Sequence, residues 1–366
     1  MLKFWKNKTV LVTGHSGFKG AWLSLVLQQA KAHVIGYALS APTNPNLFEL
    51  ANIAEGMTSI HGDIRDFDQL STTIKKHQPE IIIHMAAQPL VRYSYKEPIE
   101  TYSTNVLGTV HLLEAARQAG CVKTILNITT DKCYENQEWH WAYRETDTLG
   151  GHDPYSNSKA CSELVTNAYR DSYFKNSGIG IASARAGNVI GGGDWALDRL
   201  IPDIIRSCIA GTPITLRYPN ALRPWQHVLE PISAYLLLAE KLYADPLRYS
   251  SAWNFGPDEN DIQPVQWIAE NIMQAWHQQS TWNLQLENAL HEAKHLKLDC
   301  AKAKAQLSWH PQWNLEKGLY ETINWYKAFS QGKNMREKTL EQISEFFQKK
   351  QHCAQEPAAL ALEIKS

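Results

Sequence analysis

Short apolar runs alternate with segments of helical periodicity along the first half of the chain. The first run, Thr9–Thr13, is β-branched and bounded by turn residues, which predicts a buried strand. Similar runs predict strands at residues 33–39, 80–87, 124–129 and 179–185, and a further strand region lies just before His61. Strands that alternate with helices in this way are typical of a doubly wound, parallel α/β sheet.

The alternating pattern loosens after residue 187. Short apolar runs such as Ile214-Thr215-Leu216 stand among loops and helices there, which favours a smaller lobe above the sheet. We therefore predict a mainly cofactor-binding domain at 1–187 and a mainly substrate-binding lobe at 188–330, with some interleaving. Residues 331–366 form a charged extension whose Ala/Glu-rich end is expected to fray.

Overall charge and cysteine usage exclude several classes of protein. The 366 residues include 36 basic and 37 acidic ones, so no global field favours nucleic acid or a membrane surface. No apolar run approaches the roughly 18 residues of a membrane span, and the N-terminus lacks the apolar segment of a signal peptide. The 6 cysteines are scattered without metal-binding spacing, which predicts reduced thiols in a cytoplasmic protein and no metal site.

A glycine-rich loop joins the first predicted strand to the first predicted helix. It runs Gly14-His15-Ser16-Gly17-Phe18-Lys19-Gly20. Strand, loop and helix in this order are the context of a dinucleotide-binding fingerprint, although the spacing is GxxGxxG rather than GxGxxG. Gly14 would allow the tight turn, Gly17 the approach of a pyrophosphate, and Gly20 close packing of the helix on the strand. The phosphates would lie at the helix N-terminus.

Other strand ends carry weaker signals for a nucleotide. Ser40 stands about 20 residues past the last glycine, where an acidic residue would bind the ribose of NAD, and no adjacent arginine favours NADP. Asp63 either accepts from an adenine amino group or caps the helix near Phe67. His84 ends a buried strand and is interpreted as a core histidine, whereas Asn105 is either a helix cap or a support for the active-site backbone.

The strongest candidate chemistry lies at the end of the fifth predicted strand and on the helix that follows it. Thr130, Asp131 and Lys132 emerge at the carboxyl end of that strand, where open α/β sheets bind ligands. Tyr155 and Lys159 are four residues apart and project from one helix face. Because a nearby ammonium group favours the phenolate, we expect a lowered pKa for Tyr155, which would make it a base near neutrality.

The predicted lobe offers cations for phosphate. Arg217, Arg223 and Lys302 are among them. Arg223 begins the segment Arg223-Pro224-Trp225-Gln226-His227, which combines an arginine with rings and suits a nucleoside diphosphate. A solvated loop arginine is the alternative interpretation.

Together these motifs resemble those of the extended short-chain dehydrogenase/reductase family. The motifs are Gly14-x-x-Gly17-x-x-Gly20, Asp63-Ile64, Asn105, Tyr155-x-x-x-Lys159 and Arg223-Pro224-Trp225. The resemblance covers about residues 8–330 and implies a seven-stranded parallel Rossmann sheet with a C-terminal nucleotide-sugar-binding lobe. Within the family, the glycine loop, residues 130–136 and Gly193-Asp194-Trp195 are similar to those of CDP-glucose 4,6-dehydratases. Lys132 carries this distinction, because dTDP-glucose dehydratases have Asp-Glu where this chain has Asp131-Lys132.

The resemblance also implies bound NAD and a set of residues for each role. The cofactor-binding residues would be Gly14, Ser16, Gly17, Phe18, Lys19, Gly20, Ser40, Asp63, Ile64, Ala86, Ala87, Asn105, Thr129, Tyr155 and Lys159. The substrate-binding residues would be Gln88, Arg92, Asn188, Gly193, Asp194, Trp195, Arg217, Arg223 and His227. The catalytic residues would be Thr130, Asp131, Lys132, Tyr155 and Lys159. Ser40 departs from the aspartate usual in the family, which bears on NAD affinity more than on cofactor identity.

For CDP-glucose the resemblance implies three steps in one pocket. Tyr155 removes the proton of the 4-hydroxyl, to which Thr130 is hydrogen-bonded, while a hydride passes from C4 to NAD. Asp131, kept protonated by burial, then donates to the C6 oxygen, and Lys132 removes the C5 proton directly or through water. Return of the hydride to C6 gives CDP-4-keto-6-deoxyglucose.

Three other functions remain compatible with the motifs. A nucleotide-sugar 4-epimerase would need no Asp-Lys pair, a reductase would consume NADPH, and a redox-sensing protein would have no use for the Tyr155–Lys159 pair. The resemblance further implies a homodimer, or a dimer of dimers, formed through the helices that begin near Asn105 and Tyr155. The usual destination of the dehydratase product is a 3,6-dideoxyhexose of bacterial surface polysaccharide.

Overall fold

The computed structural model describes residues 2–276, 282–284 and 296–353, with side chains as far as residue 348. Its strands are β1 (Thr9–Thr13), β2 (His33–Ala38), β3 (Thr58–His61), β4 (Ile81–His84), β5 (Thr124–Ile128), β6 (Gly180–Ala186), β7 (Val189–Ile190), β8 (Thr215–Leu216), β9 (Leu222–Pro224), β10 (Gln226–His227), β11 (Ala252–Phe255), β12 (Ile262–Pro264) and β13 (Asn283–Leu284). Its α-helices are α1 (Phe18–Gln29), α2 (Leu47–Leu50), α3 (Phe67–His77), α4 (Val91–Lys96), α5 (Pro98–Tyr102), α6 (Gly108–Ala119), α7 (Pro154–Tyr169), α8 (Leu200–Ala210), α9 (Leu229–Ala244), α10 (Pro246–Tyr249), α11 (Val265–Trp276), α12 (Ala301–Leu307), α13 (Leu315–Ser330) and α14 (Met335–Cys353).

The central sheet has 7 strands in the order β11-β6-β5-β4-β1-β2-β3. All neighbouring pairs in it are parallel. The chain winds outward in both directions from β1 and β4, so a crevice opens between their carboxyl ends, where ligands bind in sheets of this kind. The predicted doubly wound sheet is therefore confirmed.

Alternate residues of each central strand enter two separate cores. In β1, Val10 and Val12 belong to the core that includes α1, α9 and α13, whereas Leu11 belongs to the core that includes α3 and α6 on the other face. Successive side chains of a strand point to opposite faces, and both faces are covered here, which explains the continuous apolar runs in the sequence.

The smaller lobe is built from short strand pairs and the helices around them. Its pairs are β7 with β10, β8 with β13 and β9 with β12. After β10 the chain passes through α9 and α10 and returns as β11 to the edge of the central sheet beside β6. The sheet is therefore incomplete at residue 187, and lobe and sheet are interleaved.

Helix α14 is an integral part of the fold. Its side chains Ile343 and Phe346 are fully buried, and Trp325 of α13 donates a hydrogen bond of 2.9 Å to its Thr339. Arg336 donates to the backbone carbonyls of Ala51 and Asn52. Residues 335–348 thus complete the core, while the predicted frayed end at 354–366 lies outside the described residues.

The described ranges contain neither a membrane-spanning helix nor a cluster of metal ligands. Each helix there is too short or too polar to cross a bilayer. Nowhere in the same ranges do three or more His, Cys, Asp or Glu side chains come together in a way that could hold a metal ion.

Candidate active site

The glycine loop at the carboxyl end of β1 forms a cradle for an anion. Gly14 has a φ of 75°, and a Cβ there would lie 2.7 Å from the Ala86 nitrogen. A Cβ on Gly20 would lie 2.1 Å from the Gly14 carbonyl oxygen, so only glycine lets α1 pack this closely. Gly17 is the N-cap of α1 and carries no side chain to occupy the first-turn N–H groups. Those groups and the helix dipole suit a pyrophosphate, so the loop fits a dinucleotide.

The expected adenosine end of the cofactor site lies at the ends of β2 and β3. Ser16 Oγ donates to the Leu39 carbonyl over 2.8 Å, which fixes the loop against the end of β2, and Ser40 beside it is exposed. Asp63 forms a two-pronged ion pair with Arg65, whose shortest distance is 2.6 Å, and this hydrogen bonding lowers the pKa of Asp63. The cap of α3 is Asp66, not Asp63, so the capping alternative for Asp63 is wrong.

Asn105 braces the active-site backbone. It lies in a π-helical turn, Ser103–Leu107, and accepts from the Gln88 N–H over 2.9 Å while donating to the Gln88 carbonyl and to Ser158 Oγ. Of the two predictions for Asn105, support rather than capping is confirmed. His84 is buried, its Nδ1 lies 2.7 Å from Thr13 Oγ1, and burial lowers its pKa to about 3. It is a core histidine, as predicted.

The Thr-Asp-Lys segment forms a short 3₁₀ turn, Asp131–Cys133, directly after β5. Thr130 caps this turn, donates to Asp131 Oδ1 over 3.0 Å and is also hydrogen-bonded to the Tyr155 hydroxyl. Asp131 is buried, and its Oδ2 has no hydrogen-bond partner among the described residues. Burial raises the pKa of Asp131, which favours the neutral acid. Lys132 is partly exposed on the wall of the cleft.

Tyr155 and Lys159 stand one turn apart on α7, whose N-cap is Asp153. Lys159 Nζ donates to the Ile128 carbonyl over 3.2 Å, and burial lowers its pKa to about 8. The pKa of Tyr155 is raised to about 12, chiefly by burial and further by Asp131, although the Thr130 hydrogen bond opposes this. The predicted lowering of the Tyr155 pKa is therefore wrong, because burial outweighs the positive charge of Arg199.

A cleft of about 590 Å³ between sheet and lobe brings 12 of the predicted site residues together. Those lining it are Phe18, Lys19, Arg92, Thr129, Thr130, Asp131, Lys132, Tyr155, Asn188, Asp194, Arg217 and Arg223. Burial and, to a smaller extent, the charges of Lys159 and Arg199 lower the pKa of the Lys19 ammonium to about 8. The cleft therefore offers several cations beside the Thr130–Tyr155 pair.

Several residues predicted for the substrate do not reach this cleft. His227 is buried, with its ring centroid 5.7 Å from that of Trp22 and 5.0 Å from that of Trp313, so a direct contact with substrate is not supported. Trp195 packs its ring on Tyr326 and Phe329. Gln88, Gly193 and Lys302 also lie outside the cleft. Gln88 donates to Thr101, Gly193 packs against Leu47, and Lys302 donates to Ser251 and Ala252.

Sequence reasoning missed Arg199 and Asp198, which both line the cleft. Arg199 forms a salt bridge of 2.8 Å with Asp194. Both residues precede α8 in a turn without a recognisable motif. Their only signal was charge just before an amphipathic helix, which is equally typical of a solvated turn.

Comparison with known proteins agrees with this site. Residues 11–322 match the family model described as GDP-mannose 4,6 dehydratase. The chain belongs to this family. Among curated members, a CDP-glucose 4,6-dehydratase of Salmonella typhimurium is 53% identical over 94% of this chain and 97% of its own length. A dTDP-glucose 4,6-dehydratase of Xanthomonas campestris is 27% identical over 87% of this chain and 93% of its own length.

Two solved structures share the fold. A dTDP-glucose 4,6-dehydratase from Bacillus anthracis, in complex with NAD, superimposes with a TM-score of 0.75 at 22% identity, covering 90% of this chain and 99% of its own. A UDP-glucose 4-epimerase from Thermotoga maritima, with UDP-glucose, gives 0.77 at 22% identity, covering 87% and 99%. At this identity the likeness supports the fold alone, since both kinds of enzyme share it.

Proposed function

We propose that this chain is a CDP-glucose 4,6-dehydratase, which converts CDP-D-glucose to CDP-4-keto-6-deoxy-D-glucose and water. The observation that carries the proposal is the buried Asp131 carboxyl group, which stands beside the Thr130–Tyr155 hydroxyl pair with one oxygen unpartnered among the described residues. Hydride transfer alone needs only the hydroxyl pair and a lysine, whereas elimination of water needs an acid in addition. The 53% identity to a curated enzyme of this activity supports the same substrate.

The residues at the carboxyl ends of β1 and β2 fit NAD. Gly14, Gly17 and Gly20 would hold its pyrophosphate, and the backbone near Ala86 lies against the same loop. NAD, when bound, would accept a hydride from C4 of the sugar and return it at C6. Ser40, exposed shortly after β2, stands in the sequence at the usual ribose-binding position.

The chain's own groups divide the proton transfers between them. In its phenolate form, Tyr155 takes the proton of the sugar 4-hydroxyl, and Thr130 orients that hydroxyl. Lys159, one helix turn away on α7, supplies the positive charge that favours the phenolate. Asp131, whose raised pKa favours its protonated form, donates to the departing C6 oxygen. Lys132, adjacent to it in the 3₁₀ turn, removes the C5 proton, directly or through a water molecule.

Incubation of the purified protein and NAD with CDP-, dTDP-, UDP- and GDP-glucose tests the proposal. We expect a 4-keto-6-deoxy product from CDP-glucose alone, with no net formation of reduced cofactor. A galactose-configured product without loss of water would instead establish a 4-epimerase, and stoichiometric consumption of NADPH would establish a reductase. Full turnover of CDP-glucose by a Lys132→Ala variant would show that Lys132 is not the base.

We also propose that the protein forms a homodimer, or a dimer of dimers, through the helices that begin near Asn105 and Tyr155, together with α5 beside them. Ile99 on α5, Leu107 in the π-helical turn and Leu164 on α7 are exposed by 84%, 47% and 56%, and these segments pack side by side. A Leu164→Asp variant should shift the mass measured by light scattering towards the monomer. Leu247→Asp, on α10 and also exposed, is the control and should not.

A cytoplasmic location and a role in supplying deoxysugars for bacterial surface polysaccharide, including O antigen of lipopolysaccharide, complete the proposal. Both rest on the proposed activity, whose product is usually destined for 3,6-dideoxyhexoses of bacterial surface polysaccharide. Loss of 3,6-dideoxyhexose from the cell surface after deletion of the coding sequence would support the second.

A further inference from the structure

Three charged side chains meet at the mouth of the cleft. Arg92 comes from α4 beside the sheet, Arg217 follows β8 in the lobe, and Asp198 lies in the turn before α8. Asp198 Oδ1 is 3.1 Å from Arg217 Nη1 and 3.6 Å from Arg92 Nη1. A single carboxylate oxygen therefore bridges two arginines that approach it from opposite walls.

The bridge leaves part of the binding capacity of the arginines unused. Arg217 Nη2 donates to the backbone carbonyl of Asp198 over 3.2 Å, but Arg92 Nε is buried without a partner among the described residues. Two guanidinium groups present a fork of N–H donors that matches the oxygens of a diphosphate better than one carboxylate oxygen. The three side chains are 22% to 47% exposed, so an anion entering from solvent can reach them.

We infer that Asp198 sets the affinity of the cleft for nucleotides, because its carboxylate occupies the position that a ligand diphosphate must take between Arg92 and Arg217. This inference rests on the proposed nucleotide-sugar substrate. A diphosphate replaces the carboxylate, brings more negative charge and satisfies donors that Asp198 leaves open. A neutral nucleoside has no negative charge to place between the two arginines. Only the diphosphate of a ligand can therefore displace the Asp198 carboxylate from them.

The turn that carries Asp198 permits a clean test. Asp198 has a φ of 61°, in the left-handed region, where asparagine is also well tolerated, so an Asp198→Asn variant keeps the turn and loses only the charge. Asp203 is the matched control. It lines the same cleft, but its carboxylate pairs with Arg206 instead of bridging Arg92 and Arg217.

Titration calorimetry with CDP and with cytidine gives the readout. Asp198→Asn should lower the dissociation constant for CDP by about threefold to tenfold, as expected when a partly exposed competing charge is removed. The constant for cytidine should not change, and Asp203→Asn should change that for CDP by less than about twofold. In the background of Arg217→Gln, the gain from Asp198→Asn should be much smaller.

Equal or weaker binding of CDP by Asp198→Asn would overturn the inference, because it would make Asp198 a positioning group for the arginines or a bystander. An equal gain from Asp203→Asn would also overturn it, since any loss of negative charge would then suffice. Turnover of CDP-glucose by the wild-type protein tests the proposed function separately. Absence of turnover would contradict that function, while the order of CDP affinities would still decide the role of Asp198.

Discussion

The carboxyl group of Asp131 is both buried and placed to act as an acid. A general acid must hold its proton until the transition state, and burial of a carboxylate without a full set of hydrogen bonds raises its pKa. Thr130 satisfies one of its oxygens and leaves the other for a ligand. The same kind of burial that makes Asp131 an acid also raises the pKa of Tyr155 to about 12.

Replacing Asp131 should separate the redox and elimination steps. An Asp131→Asn variant keeps the shape of the side chain but has no proton to donate, so we expect turnover of CDP-glucose to fall by about 100-fold to 10,000-fold. Oxidation at C4 does not need this acid. Reduced cofactor should therefore accumulate in a single turnover, measured by its absorbance, while product formation is followed by mass spectrometry.

The stability of the variant and its partial reaction serve as controls. Asp131→Asn should unfold at the same temperature as the wild-type protein or higher, since it no longer buries a titratable group. Wild-type turnover by Asp131→Asn would assign the acid to another group. In the wild-type protein, turnover should decline as the pH rises through the raised pKa of Asp131, because the acid is then lost.

Residues set by local spacing could be predicted from the sequence, and residues set by packing could not. Gly14, Tyr155 and Lys159 were found because a turn and one helix face impose fixed spacings. His227 was assigned to substrate from its neighbours along the chain, whereas its burial against Trp22 depends on how the lobe folds back. The raised pKa of Tyr155 could not be predicted either, because it depends on how deeply the side chain is buried in the folded chain.

At the scale of elements, the junction of β1 and α1 is held by glycines with different roles. Gly20 is needed for packing, since a Cβ there would overlap the Gly14 carbonyl. Gly17 has an ordinary φ of −78°, and the nearest contact of an added Cβ is 3.4 Å. The fold can accept alanine at Gly17 but not at Gly20.

These two glycines should therefore respond differently to the same substitution. Gly17→Ala should keep the melting temperature within about 2 °C and raise the dissociation constant for NAD at least about tenfold, because the methyl group enters the space of the pyrophosphate. Gly20→Ala should instead lower the free energy of unfolding by about 1–3 kcal/mol. Calorimetry and thermal unfolding distinguish the two. Unchanged NAD affinity in Gly17→Ala would place the pyrophosphate elsewhere.

Helix α14 offers a second prediction at this scale. Phe346 is fully buried and lies 5.1 Å from the Trp313 ring, centroid to centroid. Phe346→Ala should lower the free energy of unfolding by about 3–5 kcal/mol, measured with denaturant. Exposed Gln348, two residues further on, gives the control, whose alanine variant should stay within about 0.5 kcal/mol of wild type. A small effect at Phe346 would mean that α14 is dispensable for stability.

The composition of this segment does not predict that it docks as a helix. Residues 335–352 are rich in Lys, Glu and Gln, and averaged over the segment they suggest a solvated extension. The few apolar side chains, including Ile343 and Phe346, nevertheless lie on one face that α1 and α13 cover. Only the position of those partners in three dimensions distinguishes a docked amphipathic helix from a free one.

For the whole molecule, three buried histidines couple stability to pH. Burial lowers the pKa of His15 to about 4, and those of His84 and His227 to about 3. In the unfolded chain a histidine titrates near 6.5. Below that pH the unfolded state binds more protons than the folded state, so stability is full above pH 6.5 and falls as the pH drops towards 4.

Each of these histidines should contribute about 1.4 kcal/mol per pH unit to that slope. Denaturant unfolding at several values from pH 7 to 4 measures the slope for wild type and for His227→Asn, which should lose one such contribution. The level of stability can also change in this variant, but only the slope reports the titration. His33→Asn, at an exposed position, should keep the wild-type slope, and an unchanged slope in His227→Asn would contradict the prediction.

The return of the chain as β11 imposes an order on its assembly during synthesis. Until residue 255 has left the ribosome, β6 is an edge strand with unpaired backbone groups along one side. The strand β11 can therefore pair only after most of the lobe has been synthesised. Its pairing joins residues such as Ala186 and Phe255 that are far apart in sequence. Such nonlocal pairing is intrinsically slow. A nascent or truncated chain that ends before β11 should therefore be the form most prone to aggregate and most dependent on chaperones.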